Sequence, residues 1–226
     1  MLTLTGALLD PLLRDNPAGP RITYYDDATG ERVELSTATL ANWAAKTANL
    51  LRDELGAGPG TRVGVLLPAH WQTAAVLLGI WWIGAEAVLD SSDDVTFCTR
   101  DRLDEAGMGE VAVLSLDAFG KGYDDLPVGV TDYATAVRVH GDQVLPERNP
   151  GPALEGRSVA DVLDEARSEL SGTDRVWSSL GWSTAPELIA NLVAVFAAGA
   201  SLVQVAHPDA ALQERRMATE KVTTTL

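Results

Sequence analysis

A single cysteine, Cys98, occurs in 226 residues, and that scarcity excludes an intrachain disulfide, a CxxC redox pair and a cysteine-based zinc site. Set in the apolar run Val95 to Thr99, it reads as a small buried hydrophobe. Histidine is nearly as rare. His70, His140 and His207 stand far apart with no HxH or HExxH spacing, so no metal site is expected. Cations are also short: 17 lysines and arginines face 32 acidic side chains, giving a net charge of −15, and no basic cluster exceeds Arg215-Arg216. Nucleic acid and anionic membranes are therefore excluded as expected partners. Long apolar runs are missing as well. The longest, Thr73 to Ala85, has 13 residues, where about 20 are needed to cross a bilayer. Met1 to Thr5 carries no basic n-region, and a cytoplasmic location is expected.

What is present is a hydrophobic fraction of 46%, ample for a core, arranged in alternating strand-like and helix-like segments. Ser36 is placed to cap a helix with apolar residues at Leu40, Trp43, Ala44, Thr47, Leu50 and Leu51, and Gly56 stops it. Arg62 to Leu67 reads as a buried strand ending at Pro68. A second helix, from about Trp71 to Ile83, is apolar nearly all round, as suits a helix packed between a sheet and other elements. Strands are expected at Ala85 to Leu89, Val95 to Thr99 and Val111 to Leu116, with a short helical stretch at Arg102 to Ala106. The spacing of these segments predicts an α/β fold with mostly parallel sheets and helices on both faces.

From Gly120 to Pro152 four prolines and five glycines break any long element, marking a boundary between lobes. The expected division of one domain is a first lobe at about 1–119, a linker at about 120–152 and a second lobe at about 153–226. Within the linker, Ala134 to Val139 reads as an edge strand. Ser158 with Asp161 forms a capping-box pattern opening a helix to Leu170. Arg175 to Leu180 then reads as a strand, Pro186 to Ala198 as an apolar helix, Ser201 to Val205 as a strand, and the tail from Pro208 as a final helix. Gly84 and Gly199 close the two apolar helices 115 positions apart. Leu66 to Leu89 and Leu180 to Gln204 are thus candidate copies of one βαβ unit, although any two such units share this pattern.

Several of these segments resemble the adenylate-forming superfamily of acyl-CoA synthetases, peptide-synthetase adenylation domains and luciferases. Gly56-Ala57-Gly58-Pro59-Gly60-Thr61-Arg62-Val63-Gly64-Val65-Leu66-Leu67-Pro68 is similar to that family's G-x-x-P-G-D-R-V-A-x-x-L-P strand entry, and Gly84-Ala85 to its K-A-G-A segment. Leu35 to Leu40 sits where the family has L-T-Y-x-E-L, without the aromatic and the glutamate. In the second lobe, Asp174 to Leu180 and Ala198 to Val203 are similar to the strands beyond the family's phosphate loop. The likeness covers about three quarters of the chain and extends to a short group of actinobacterial synthetase-like proteins. It implies the N-terminal fold of adenylate-forming enzymes.

The departures from the family pattern bear on activity. Its phosphate loop, T-S-G-T-T-G-x-P-K, holds ATP through backbone N–H groups and a lysine. The corresponding stretch here is Asn149-Pro150-Gly151-Pro152-Ala153-Leu154-Glu155-Gly156-Arg157, in which two prolines remove donors and Glu155 repels phosphate. The family's P-x-x-H segment becomes Gly181-Trp182-Ser183-Thr184. No counterpart exists within these residues to the adenine-binding segment, the Y-x-T-G-D aspartate or the catalytic lysine. No catalytic residue is assigned, no cofactor is expected, and ATP with magnesium should bind weakly or not at all. The expected role is a non-catalytic binding or interaction module. The alternative is part of a split adenylating enzyme completed by a partner chain.

A third reading takes Gly181-Trp182-Ser183-Thr184-Ala185 as a nucleophile elbow with Ser183 as a hydrolase serine, but only His207 follows it, with Asp209 in the wrong order. Asp90-Ser91-Ser92-Asp93-Asp94 places three carboxylates after a strand and reads chiefly as turn chemistry. By the family's layout, a surviving ligand crevice would lie between the lobes near His70, Asp90 and Ser183 and take a small acyl or carboxylate ligand. Trp71, Trp81 and Trp82 fall on one helix, as core or as contact surface. A homodimer built on the tryptophans and the helix from Pro208 is expected, unless that helix folds back over its own sheet.

Overall fold

The computed structural model describes residues 2–226. Helix α1 (Leu4–Asp15) begins at Thr3, whose hydroxyl accepts the Gly6 N–H. It leads into a hairpin of β1 (Pro20–Asp26) and β2 (Glu31–Ser36). Ser36 caps α2 (Thr37–Asp53) by accepting the Thr39 N–H. Then follow β3 (Arg62–Leu66), α3 (Trp71–Trp82), β4 (Glu86–Val88) and β5 (Val95–Thr99). A 3-10 turn at Arg100–Glu105 precedes β6 (Glu110–Leu114) and β7 (Val130–Asp132). Next come α4 (Tyr133–Ala136) and, after the Ser158–Asp161 capping box, α5 (Val159–Glu165) and β8 (Arg175–Ser178). A helix of three parts runs through α6 (Ala185–Leu188), a π turn (Ile189–Val193) and α7 (Ala194–Ala197). Finally come β9 (Ser201–Ala206), α8 (Ala210–Glu220) and β10 (Thr224–Thr225).

Two five-stranded sheets result, ordered β10-β8-β9-β1-β2 and β4-β3-β5-β6-β7. The second is parallel throughout, and in the first only β1 with β2 is antiparallel. The α/β architecture expected from the alternating pattern is thus the observed one. The lobes, however, interleave in sequence. Residues 20–36 fall in the first lobe by chain position, yet β1 pairs with β9, so the hairpin belongs to the sheet of the second. The linker is likewise tied to the first lobe, through Glu147 N–H to the Trp82 carbonyl and Gly151 N–H to the Gly84 carbonyl.

One hydrophobic core joins both sheets, with α3 at its centre, buried over all twelve residues. Trp71, Trp81 and Trp82 are therefore core residues, and the Trp81 indole N–H donates to the Ala153 carbonyl at 2.8 Å. The tail helix folds back. Met217 and Val222 pack on Tyr25, Trp177, Val203 and Val205, covering the far face of the first sheet. Glu220 anchors that layer between Tyr25, Arg32 and Arg175; burial opposes its ionisation, but those hydrogen bonds hold its pKa below the usual carboxylate range.

Two segments differ from expectation. Residues 134–139 are helical, because Asp132 accepts the Thr135 N–H and starts α4, leaving the edge strand to 130–132. The helix opened by Ser158 stops at Glu165 rather than Leu170. Among the described residues no helix is long and apolar enough to cross a membrane.

Candidate functional site

The parallel strands of both sheets point their C-terminal ends at one crevice of about 870 Å³. Its walls are the segments that leave β1, β3, β6, β8 and β9, with the β1–β2 turn across the mouth. This is where open α/β sheets bind ligands, and the volume suits a small molecule. Two wall residues, Leu116 (φ 55°) and His207 (φ 48°), hold left-handed backbone conformations without being glycine. Such strain persists only where surrounding structure enforces it.

His70, singled out from sequence, lies in this crevice as the cap of α3. Its Nδ1 accepts the Gln72 N–H at 3.1 Å, and its Nε2 faces Glu31 Oε1 at 3.8 Å. The ring meets Tyr24 edge-on, with centroids 4.2 Å apart. Burial depresses the imidazole pKa below its ordinary value, outweighing the attraction of Glu31, so the ring is neutral near pH 7. Burial also raises Tyr24, and nearby Asp26 and Glu31 add to the effect. For Asp26, burial opposes ionisation, but hydrogen bonds from His207 and the Ala28 N–H hold its pKa below the usual range.

Asp90 and Ser183 do not line the crevice. The carboxylates of the Asp90-to-Asp94 loop are taken up by backbone donors: Asp90 accepts the Ser91 N–H within the turn, while Asp93 and Asp94 reach across to the N–H groups of Met108 and Arg62. No group of three or more metal-ligating side chains is assembled among the described residues. Ser183 is exposed, and the cap of α6 is its neighbour Thr184, which accepts the Glu187 N–H while Glu187 receives the N–H groups of Ser183 and Thr184. His207 bonds to Asp26 at 2.9 Å, so no serine–histidine pair forms at the elbow sequence.

The residues that sequence reasoning missed are Glu31 and Gln204. Both reach the crevice only because the hairpin inserts beside β9. A signal was present in the aromatic and β-branched run Ile22 to Tyr25, the turn residues Asp26 to Gly30 and the alternation Arg32 to Leu35.

The stretch in the place of a phosphate loop has a definite structure. Ala153, Leu154 and Arg157 bond among themselves. Glu155 N–H donates to the Ala87 carbonyl, Gly156 N–H to the Glu86 carboxylate and Gly151 N–H to the Gly84 carbonyl. Asn149 N–H is taken by Glu147 and Ser158 N–H by Asp161. With Pro150 and Pro152 lacking an N–H, every backbone donor from 149 to 158 is engaged within the chain. The Arg157 guanidinium, the one cation between Asn149 and Ser158, is held by Glu165 at 3.0 Å.

These features define the N-terminal fold of an adenylate-forming enzyme, and comparison with known proteins agrees. An AMP-binding enzyme profile matches residues 14–92. An acyl-CoA synthetase from Brucella canis superposes with a TM-score of 0.78 at 15% identity, over 99% of this chain and 47% of that one. A benzoate CoA ligase from Burkholderia xenovorans gives 0.75 at 16%, over 100% and 50%. An acetoacetyl-CoA synthetase from Streptomyces lividans gives 0.77 at 19%, over 99% and 42%. The chain spans about half the length of these solved relatives. It is 64% identical over 238 residues to a TIGR03089 family protein of Mycobacterium tuberculosis, covering 99% of this chain and 98% of the relative. The chain belongs to that family.

Proposed function

We propose that this chain is a non-catalytic domain of the adenylate-forming fold, a pseudoenzyme that binds a small ligand or partner in the cytoplasm without activating it. The observation that carries the reading is the engagement of every backbone N–H from 149 to 158, together with the Arg157–Glu165 pair. Phosphates are held by free, convergent N–H groups and a cation, and an adenylating site without them loses its main electrostatic stabilisation. The inter-sheet crevice remains as the binding element.

Calorimetry with Mg-ATP should give an affinity no tighter than about millimolar, and ATP–pyrophosphate exchange should be absent with any carboxylic acid. Low-micromolar Mg-ATP binding, or exchange by the chain alone, overturns the reading. The match of residues 14–92 to an AMP-binding enzyme profile favours a second reading, in which a partner chain completes a split enzyme. Exchange that arises only in material co-purified from the native cell would establish it.

A further inference from the structure

The two sheets have four outer strands, and these are not equally closed. β4 is bridged at Ala87 by Leu154, β10 has two residues and β7 has three. β2 has six, and among the described residues no strand or bridge flanks its outer side. Its outward groups follow from the hairpin. Asp26 gives its carbonyl to the Gly30 N–H at 2.8 Å across the turn, and Asp27 its N–H to the Ala206 carbonyl of β9 at 3.1 Å. Direction alternates along a strand, so the backbone groups of Asp26 and Tyr24 face β2 and those of Tyr25 face β9. Tyr24 stands opposite Val33 and Tyr25 opposite Arg32. Val33 thus bonds back to β1, while the N–H and C=O groups of Arg32 and Glu34 point away from the sheet and meet no partner among the described residues. Both residues are exposed, so this edge is open to another chain.

The side chains along the edge decide what can lie beside it. Arg32 and Glu34 flank Val33, and a second copy of β2 laid antiparallel and centred on Val33 brings each Arg32 opposite a Glu34. Both members of such a pair present outward groups, so each pair exchanges two N–H···O bonds. Sliding the copy by two residues either way sets Arg32 against Arg32 or Glu34 against Glu34, which like charge disfavours. A slide of one residue fails as well, because it matches outward groups with groups already turned toward β1. The net charge of −15 opposes self-association in general. At physiological salt it is screened beyond about 8 Å, which leaves the facing pairs to set the register.

We propose that β2 is the contact strand of a symmetric dimer, in which two copies join antiparallel about a twofold axis at Val33 and the first sheet runs on from one chain into the next. This replaces the contact expected from sequence, since Trp71, Trp81 and Trp82 are core and the tail helix packs on its own sheet. It holds for a binding domain and for part of a split enzyme alike. Val33 lines the crevice, so Val33 of the second copy, about 5 Å away, gives the two crevices a shared rim. A strand pair this short buries less than a standard interface, and the dimer is a transient one. Light scattering at physiological salt should show the mass rising from one chain toward two between about 5 and 500 µM. Over the same range hydrogen exchange at the Arg32 and Glu34 amides should slow at least about fivefold, whereas that of Val33, already bonded to β1, should not change. Glu34→Arg sets arginine against Arg32 and should weaken association at least about tenfold. A single-chain mass at every concentration overturns the proposal. So does a dimer that leaves exchange at Arg32 and Glu34 unchanged, or one that Glu34→Arg does not weaken. If that variant fails to fold, the wild-type exchange pattern decides alone.

Discussion

The two βαβ units, β3–α3–β4 and β8–α6/α7–β9, share pattern and closure but not environment. Gly84 and Gly199 each adopt positive φ (74° and 80°), and the alanine after each donates to a carbonyl five residues back, Ile80 in one unit and Val195 in the other. Both ends are Schellman closures. Yet α3 lies between the sheets and buries every side chain, whereas the second helix exposes Pro186, Glu187, Ala190 and Ala197 and loosens into a π turn. The caps differ too: His70 looks into the crevice and Thr184 into solvent. A repeated local motif thus faces the crevice only where the other sheet closes over it.

Substitutions can break this comparison. Trp81→Ala, at 1% exposure and with its bond to Ala153 lost, should cost about 4 kcal/mol. Ala190→Ser on the exposed face of the second helix should stay within about 0.5 kcal/mol. Urea unfolding that gives both the same cost would refute the central placement of α3.

The closures offer a finer test. Alanine at either glycine is strained by its positive φ, at about 1 kcal/mol. At Gly84 the new Cβ would also stand 2.9 Å from Glu147 Cγ and from the Pro150 Cα, whereas at Gly199 the tightest approach is 3.3 Å. Gly84→Ala should therefore lose about 2 kcal/mol and Gly199→Ala about half that. Equal midpoint shifts in thermal unfolding would show that the linker does not pack on the first closure.

The smallest effect separates the caps by pH. The folded pKa of His70 lies below its ordinary 6.5, so the unfolded chain binds the extra proton first as pH falls. Its contribution is complete above the ordinary value and is lost as pH drops toward the folded one, with a slope of at most about 1.4 kcal/mol per pH unit. His70→Asn should flatten that part of the stability profile, and Thr184→Ser should leave it unchanged. A wild-type profile with no slope below pH 6.5 would contradict the burial of a neutral ring.

The legible parts of the fold were those set by local chemistry. Ser36, the Ser158–Asp161 box and the two closing glycines act within a few residues, and the structure has them where the pattern put them. The hairpin's place beside β9 was not legible, because a pairing across about 180 positions leaves no periodic trace. Strand β10, two residues long, is too short to carry a pattern. The same limit governed the candidate site. His70 follows a recognisable strand, but Glu31 and Gln204 join it only through that long-range pairing. Asp90 and Ser183 follow strands as well, and local hydrogen bonds hold them in turns away from the crevice.

Strand β4 is the outermost member of its sheet, and its far side would offer unpaired backbone groups to any passing chain. Instead Ala87 gives its N–H to the Ala153 carbonyl at 3.0 Å and receives that of Glu155 at 3.1 Å. The segment that stands in place of a phosphate cradle is therefore a guard on an exposed edge. Any redesign that freed those N–H groups for a nucleotide would also strip the guard, inviting strand addition between copies. Recovering a nucleotide site here would thus carry an aggregation hazard that no single substitution resolves.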